Sequence, residues 1–330
     1  PAPHSLKIVT ARTKFHYQTK GICENIRAAF APPSQCGLNV PRITLPLQAI
    51  NSFDVQAYIN ATIGNISNNQ QLTPEQIATF LQNKSTIIAV VAAPKSGSTF
   101  LSNVLLHTLN LPYMPLCYAY SSNEHDLYFP ALVAASINGC VSQLHMKGTP
   151  HNAQLMNMFG IRPIVLTRNI FDSIESLARD LRSKFALGSL GEGHYGYSFT
   201  WLTDDIASLD DEQLIDFIIE FAAPWYVNQY ISWRSMARKR LISPVFLRYE
   251  DLMNHKEEMI TKLIKEVTGK DVEINPSLLE SNFMPGAVGS RGSGRSGLGL
   301  ERLSPAQVQA IKKLLSYYPS YNLNEWMAAV

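Results

Sequence analysis

Short apolar runs separated by longer amphipathic stretches dominate the chain from residue 85 onward. Thr86–Ala92 (TIIAVVA) is a continuous, mostly β-branched run, which is typical of a strand buried on both faces of a parallel sheet. Three more short runs predict strands at Val141–Met146, Ile164–Thr167 and Pro244–Arg248. Helical periodicity predicts helices at about 99–109, 171–184, 211–239 (broken or kinked at Pro224), 255–267 and 305–317. This alternation predicts an α/β fold with a central parallel sheet flanked by helices, and functional residues just beyond the carboxyl ends of the strands.

Residues 1–84 differ from the rest of the chain in amino-acid composition and charge. They contain loop-like Pro and Asn clusters, and up to Ile50 they carry six basic residues against one acidic residue. A helix at Pro74–Gln82, with Thr73 as its N-cap, is predicted near the end of this segment. We therefore expect an N-terminal extension, residues 1–84, packed on a main domain, residues 85–330.

Composition narrows the possible classes of function. Of the 330 residues, 46% are hydrophobic and 16% are charged, and the net charge is +2 at pH 7. This chain is too apolar to be disordered and too weakly basic to bind nucleic acid through phosphate contacts. From Ser96 to Met146 the only charges are Glu124 and Asp126, but prolines and scattered polar residues interrupt the segment and argue against a membrane-spanning helix.

Two features bear on the cellular compartment. The N-terminus lacks the apolar core of a signal peptide, and the four cysteines have neither a metal-binding spacing nor the density of a disulfide framework. We expect a cytoplasmic protein with no metal, no nucleic-acid partner and no membrane partner. Association into a homo-oligomer is left open.

The segment after the first predicted strand, Pro94–Phe100 (PKSGSTF), is a candidate anion site. A glycine-containing turn at a helix N-terminus offers uncapped backbone N–H groups, to which Lys95 adds a charge and Ser96, Ser98 and Thr99 add hydroxyl donors. The alternative is an ordinary strand–helix turn with Ser98 or Thr99 as the N-cap. The segment is not a Walker A loop, in which Lys and Ser/Thr directly follow the last glycine.

A second candidate anion site follows the third predicted strand. Arg168 stands at the strand tip, where its guanidinium is suited to a bidentate contact with phosphate, and Ser176 is spaced to donate a hydroxyl from the next helix. The alternative is a surface ion pair between Arg168 and Asp172.

Taken in order, these motifs resemble the sulfotransferases that use 3′-phosphoadenosine-5′-phosphosulfate (PAPS). PKSGSTF is similar to the family's PKSGTTW-like loop for the 5′-phosphosulfate, and Arg168 and Ser176 have the eight-residue spacing of its 3′-phosphate pair. Arg248–Leu252 (RYEDL) looks like the family's YEDL segment. The resemblance covers roughly residues 85–320 and implies a three-layer P-loop-like fold.

The resemblance also implies catalytic roles. Lys95 would stabilise the transferring and leaving groups, and His145 would be the base that deprotonates the acceptor. The family places this His in a KTHLP-like string, whereas here the string is QLHMKGTP, so only the His is retained. A structural His145 is the alternative, with Glu124 or Asp126 as substitutes for the base and three weaker rivals: His107, His125 and His151.

Two further parts of the donor site depart from the family pattern. The family's RKG-like segment, which closes over the 3′-phosphate, corresponds to the run Gly289–Gly297, in which either Arg295-Ser296-Gly297 or Arg291-Gly292 is the aligned part. A plain flexible loop is the alternative. Phe100 replaces a Trp near the adenine, so we expect it to keep an aromatic contact with adenine unless it is a core residue of the helix.

The acceptor side is less determined. The Gly-rich loop 187–201 carries four aromatic residues, Tyr195, Tyr197, Phe199 and Trp201, and the two tyrosines and the tryptophan are candidates for lining an acceptor pocket. Glu124, Asp126 and the aspartates between 204 and 211 favour a neutral or cationic acceptor over an anionic one. For the later aspartates, an acidic helix start at Asp210–Glu212 is the alternative.

We therefore expect a sulfotransferase that moves the sulfuryl group from PAPS to a hydroxyl, or an amine, of a small-molecule acceptor. A P-loop nucleotide-dependent kinase is one alternative, although it lacks its Walker A lysine here. A non-catalytic protein with the PAPS-binding fold is the other.

Overall fold

A computed structural model describes residues 85–117, 124–186, 202–280, 296–321 and 323–327. These residues form one four-stranded sheet from β1 (Ile87–Ala92), β2 (Cys140–Leu144), β3 (Ile164–Thr167) and β4 (Val245–Arg248). The strand order is β2-β1-β3-β4 and every neighbouring pair is parallel. All four strands predicted from the sequence are confirmed, as is the parallel sheet.

Helices connect the strands and follow the last one. The described α-helices are α1 (Ser98–Leu109), α2 (Phe129–Asn138), α3 (Pro150–Met158), α4 (Ile170–Ala186), α5 (Asp211–Arg238), α6 (Tyr249–Asn254), α7 (Lys256–Thr268), α8 (Leu298–Arg302), α9 (Pro305–Ser316) and α10 (Asn324–Met327). Two 3-10 helices lie at Asp204–Ser208 and Pro276–Leu279. Sequence periodicity missed α2, because the run FPALVAASIN is apolar almost throughout and therefore lacks a helical pattern.

Helix α5 continues through Pro224, so the predicted break is wrong. Proline removes a backbone hydrogen bond and typically costs a helix about 3 kcal/mol. Here both halves are held by buried side chains, Leu214 and Ile218 before the proline and Tyr226 and Trp233 after it. Tertiary packing therefore outweighs the local preference.

The helices cover both faces of the sheet and make a three-layer fold. One apolar cluster joins α1 and α7 to alternate strand residues such as Ile88, Val90 and Leu247. Another cluster joins α4, α5 and α9, and Phe246, which points away from Leu247 in the strand, packs against it. The carboxyl ends of the strands meet along one edge, which brings the residues after them together.

Residues 1–84 lie outside the described residues, so the predicted extension and its helix at Pro74–Gln82 stay predictions. Among the described helices, none combines the length and the apolarity needed to cross a bilayer. Within the same residues, no group of three or more His, Cys, Asp or Glu side chains is placed to share a metal ion.

Candidate functional site

The loop between β1 and α1 forms the first wall of the site. Lys95 and Gly97 adopt left-handed backbone, with φ of 65° and 85°. A Cβ on Gly97 would lie 2.5 Å from the ring of Tyr249, so glycine is needed for the close packing as well as for the conformation. Gly97 is the N-cap of α1 and no side chain caps the helix, so the alternative with Ser98 or Thr99 as the N-cap is wrong. A helix start without a side-chain cap suits an anionic ligand.

The side chains of this loop differ in exposure. Ser96 and Ser98 are buried, whereas Thr99 is exposed on the first turn of α1. Phe100 is buried in the apolar cluster of α1 and α7, with the Lys256 ammonium 5.6 Å from the centre of its ring. Phe100 is therefore a core residue of α1.

The Lys95 ammonium is held by a carboxylate from α4. Its Nζ lies 3.0 Å from Oδ1 of Asp180, and the other oxygen of Asp180 lies 3.0 Å from Nζ of Lys184. Asp180 is buried, and its two lysine partners are half-buried. Two cations therefore compensate this carboxylate, one on each oxygen.

Arg168 lies between the β1–α1 loop and Tyr249. Its Nη1 donates to the Lys95 carbonyl at 3.1 Å, and its guanidinium carbon stands 4.6 Å from the centre of the Tyr249 ring. Trp326 of α10 donates to the Arg168 carbonyl at 2.6 Å. Arg168 and Asp172 are both buried, which rules out a surface ion pair between them. The tip of β3 thus places a cation beside the loop that follows β1.

His145, directly after β2, adjoins the same loop. Its Nδ1 lies 2.8 Å from the Ala92 carbonyl, and its backbone N–H donates to Nδ1 of His125 at 2.8 Å. A carbonyl oxygen can only accept, so Nδ1 carries the proton and Nε2 presents a lone pair. Burial lowers the pKa of His145 to about 4, although the bond to Ala92 acts in the opposite direction. The imidazole is therefore neutral at pH 7, with Nε2 ready to accept a proton.

Solved structures share the fold of this chain. The structure of mouse sulfotransferase SULT7A1 in complex with PAP matches with a TM-score of 0.53 and 11% sequence identity, covering 77% of this chain and 93% of that chain. The chain has a sulfotransferase fold. A structure of retinol dehydratase in complex with androsterone and inactive cofactor PAP matches with a TM-score of 0.47 and 13% identity, covering 76% and 86% of the two chains. No protein-family model matches this sequence, and neither does any curated protein sequence.

Within this sulfotransferase fold, Gln143 links the loop to His145. Its Oε1 accepts from the Thr99 hydroxyl at 3.5 Å, and its Nε2 lies 3.4 Å from Nε2 of His145. Because that imidazole nitrogen carries no proton, the glutamine amide is the donor. Both distances are at the long end of hydrogen bonding, so both bonds are weak.

The start of α4 anchors the short helix α8. Asp172 is buried, and its two carboxylate oxygens accept from the backbone N–H groups of Gly297 at 2.9 Å and Gly299 at 2.7 Å. A Cβ on Gly299 would lie 2.2 Å from the backbone of Phe171, so no other residue fits this contact. Gly297, with φ of 90°, is therefore fixed against the helix that carries Ser176.

A second carboxylate of α4 supports the same contact. Glu175 is buried and accepts from Arg302 of α8 at 2.6 Å and from Arg179 at 3.0 Å. The next residue, Ser176, is also buried. The predicted 3′-phosphate residues Ser176 and Gly297 thus lie on elements that are bonded together.

On the proposed acceptor side, Glu124 and Asp126 have protein partners. Glu124 is exposed and its carboxylate lies 3.2 Å from Nζ of Lys147, which also stands 5.8 Å from the centre of the Trp225 ring. Asp126 accepts from the Asn152 amide at 2.8 Å. Lys147 therefore offsets the charge of Glu124, one of the acidic residues that favoured a neutral or cationic acceptor over an anionic one.

The later acidic cluster has a structural role in part. Asp210 is the N-cap of α5 and forms a capping box with Gln213, and Asp211 and Glu212 lie in the first turn. The alternative of an acidic helix start is confirmed for these residues.

Several predicted site residues lie outside the described residues and stay predictions: Arg291, Arg295, Tyr195, Tyr197 and Trp201. Other residues emerged only from the structure. Asp180 holds Lys95, Gln143 contacts His145, and the buried Tyr226 hydroxyl donates to the Pro94 carbonyl at 3.0 Å. The glutamine had a signal in the sequence, since it stands two residues before His145 where the KTHLP-like string has lysine. The other two, which lie 85 and 132 residues from their partners, had none.

Proposed function

We propose that this chain is a PAPS-dependent sulfotransferase that moves the sulfuryl group to a hydroxyl, or an amine, of a small molecule. The observation that carries the proposal is the placement of His145. Its Nδ1 is bonded to the carbonyl of Ala92, two residues before Pro94, where the candidate anion site begins. A neutral base therefore lies next to a candidate site for the phosphosulfate.

The chemistry needs a proton acceptor and a cation at opposite ends of the transfer. In the proposed reaction the acceptor oxygen bonds to sulfur as the bond from sulfur to the phosphate oxygen breaks. His145 Nε2 takes the acceptor's proton, and Lys95 stabilises the negative charge that stays on the phosphate oxygen. No redox change occurs, so no further reactant is required.

The donor's phosphates find suitable groups in the described residues. The uncapped start of α1, Ser96 and Ser98 suit the 5′-phosphosulfate, and Arg168, Ser176 and Gly297 suit the 3′-phosphate. The reaction as proposed needs no metal.

For the acceptor, we propose an uncharged compound. Lys147 pairs with Glu124 at 3.2 Å, and Asn152 donates to an oxygen of Asp126. Neither carboxylate is therefore expected to select a cationic acceptor by its charge alone. Rates with matched neutral, cationic and anionic phenols test this. Preference for either charged phenol would contradict it.

The donor assignment is tested by thermal shift with adenosine 3′,5′-bisphosphate (PAP), ATP and GTP. A ligand at 100 times its dissociation constant stabilises a protein by about 2.7 kcal/mol, which is readily measured. We expect PAP to raise the melting temperature more than either triphosphate. Stabilisation by ATP but not by PAP would favour the kinase alternative.

Catalysis is tested separately with His145→Gln. We expect turnover to fall by at least about 100-fold, the usual contribution of a general base, while PAP affinity stays the same. His107→Gln, an exposed histidine at the end of α1, is the matched control. A chain that binds PAP but never sulfates any tested phenol, alcohol or amine would be a binding protein instead.

A cytoplasmic location is also part of the proposal. Its support is that Cys117 and Cys140, the two cysteines in the described residues, are free and buried. Burial raises the pKa of these thiols to about 11 and about 12. Fractionation of cells that express the tagged protein tests the location, and recovery in the secreted fraction would contradict it.

A further inference from the structure

One side of α4 carries three buried polar residues at four-residue intervals, Asp172, Ser176 and Asp180. Residues spaced by four lie one turn apart on the same side of a helix. Polar side chains are rarely buried without a specific partner, so such a row requires an explanation. Each carboxylate in the row is bonded to a different part of the candidate donor site.

Asp180 contacts the part of the site proposed for the 5′-phosphosulfate. Its Oδ1 lies 3.0 Å from Nζ of Lys95, while its Oδ2 pairs with Lys184 at 3.0 Å. If Lys95 turns to an anionic ligand, the carboxylate keeps one cation. Asp180 is thus built to share Lys95 with a ligand without becoming an uncompensated buried charge.

Asp172 contacts the part of the site proposed for the 3′-phosphate. Its two oxygens accept from the N–H groups of Gly297 and Gly299 at 2.9 and 2.7 Å. This carboxylate already has two charge-assisted bonds, which lowers its repulsion of a nearby phosphate. Its position at the start of α4 also complements the helix dipole.

Ser176 lies midway between the two carboxylates, one helical turn from each. We propose that Asp172 and Asp180 are positioning residues that divide donor recognition, Asp172 by setting Gly297 for the 3′-phosphate and Asp180 by restraining Lys95 at the 5′-phosphate. This inference rests on the proposed function. It predicts opposite effects of neutralising the two carboxylates, each specific to one phosphate of the ligand.

The experiment measures dissociation constants of PAP and AMP by calorimetry. The ratio of the AMP constant to the PAP constant reports the contribution of the 3′-phosphate alone. Asp180→Asn removes the anion that competes for Lys95, so we expect both ligands to bind about tenfold tighter with an unchanged ratio. Asp172→Asn replaces one acceptor oxygen by an amide donor, so we expect the ratio to fall about tenfold with AMP affinity within twofold.

Asp211→Asn is the control for the change in net charge. Asp211 is exposed at the start of α5 and, like Asp180, has a basic partner, Arg182 at 2.9 Å. We expect both constants to stay within twofold of those of the unchanged protein. Asp172→Glu, which keeps the charge but moves the oxygens, is a second variant in case Asp172→Asn does not fold, and its ratio should also fall.

The outcomes separate the two levels of the proposal. If the unchanged protein binds PAP no better than AMP, the proposed function fails before any variant is considered. If it prefers PAP but both Asp172 variants lower AMP and PAP affinity equally, or if Asp180→Asn weakens AMP binding, the two aspartates are merely structural and the inference is overturned.

Discussion

The neutral state of the half-buried His145 leads to a quantitative prediction about stability and pH. Burial lowers the pKa of this imidazole from 6.5 to about 4 in the folded protein. As the pH falls below about 6.5, the unfolded chain takes up a proton at His145 that the folded protein does not accept until about pH 4. The contribution of His145 to stability is therefore complete above pH 6.5 and is lost as the pH falls towards 4.

The structure sets the size of this effect. The fall of the pKa from 6.5 to about 4 corresponds to about 3 to 4 kcal/mol, since a difference of one in pKa is worth about 1.4 kcal/mol. Between pH 7 and pH 5 only part of this is lost, about 2 kcal/mol. The ring centre of His125 lies 5.7 Å from that of His145, and its electrostatic effect also lowers the pKa of His145.

Urea unfolding of the unchanged protein and of His145→Gln, each at pH 7 and pH 5, measures this difference. We expect the unchanged protein to lose about 2 kcal/mol more than the variant between the two pH values. His107→Gln, exposed on α1, should lose as much as the unchanged protein. Parallel losses in the unchanged protein and His145→Gln would refute the argument, as would a pKa near 6.5 for His145 by NMR.

Three other substitutions test the loop and its neighbours. Gly97→Ala places a Cβ 2.5 Å from the Tyr249 ring at a φ of 85°, so it should lower stability by at least about 1 kcal/mol and weaken PAP binding, as calorimetry would detect. Gln143→Leu removes the donor at His145 and should lower turnover about tenfold with PAP affinity unchanged, whereas the exposed Gln154→Leu should leave both turnover and PAP affinity unchanged. Equal turnover in Gln143→Leu and the unchanged protein would mean that Gln143 does not contribute to catalysis. Tyr226→Phe leaves the Pro94 carbonyl without its 3.0 Å partner, which should cost about 1–2 kcal/mol in urea unfolding, and no loss would mean that water replaces the hydroxyl.

Much of the fold was predictable because its signals are local. A β-branched run such as Thr86–Ala92 identifies a buried strand without knowledge of its neighbours, and the alternation of strands with helices implies parallel pairing. The missed helix α2 and the wrongly predicted break in α5 also have physical reasons. Helix α2 is apolar on every side and so carries no period, and α5 passes through Pro224 because the core packs against both of its halves.

The candidate site was predictable where its residues follow strands in recognisable strings. Arg168 and His145 come directly after β3 and β2, Lys95 comes three residues after β1, and the sheet brings the three strand ends to one edge. Their partners were not predictable, since an ion pair between residues 95 and 180 has no trace in local sequence.

The sequence by itself determined the four strands, their parallel pairing and the glycine-containing turn of the PKSGSTF loop at a helix N-terminus, because these depend on hydrophobicity, backbone propensity and glycine. Only the tertiary structure decided the state of the groups in the site. It decided that His145 is neutral with Nε2 available, that Lys95 is shared with Asp180, and that Asp172 holds Gly297. The physical reason is that charge state and hydrogen-bond partners depend on burial and on atoms a few ångströms away, and folding brings those atoms from distant parts of the chain.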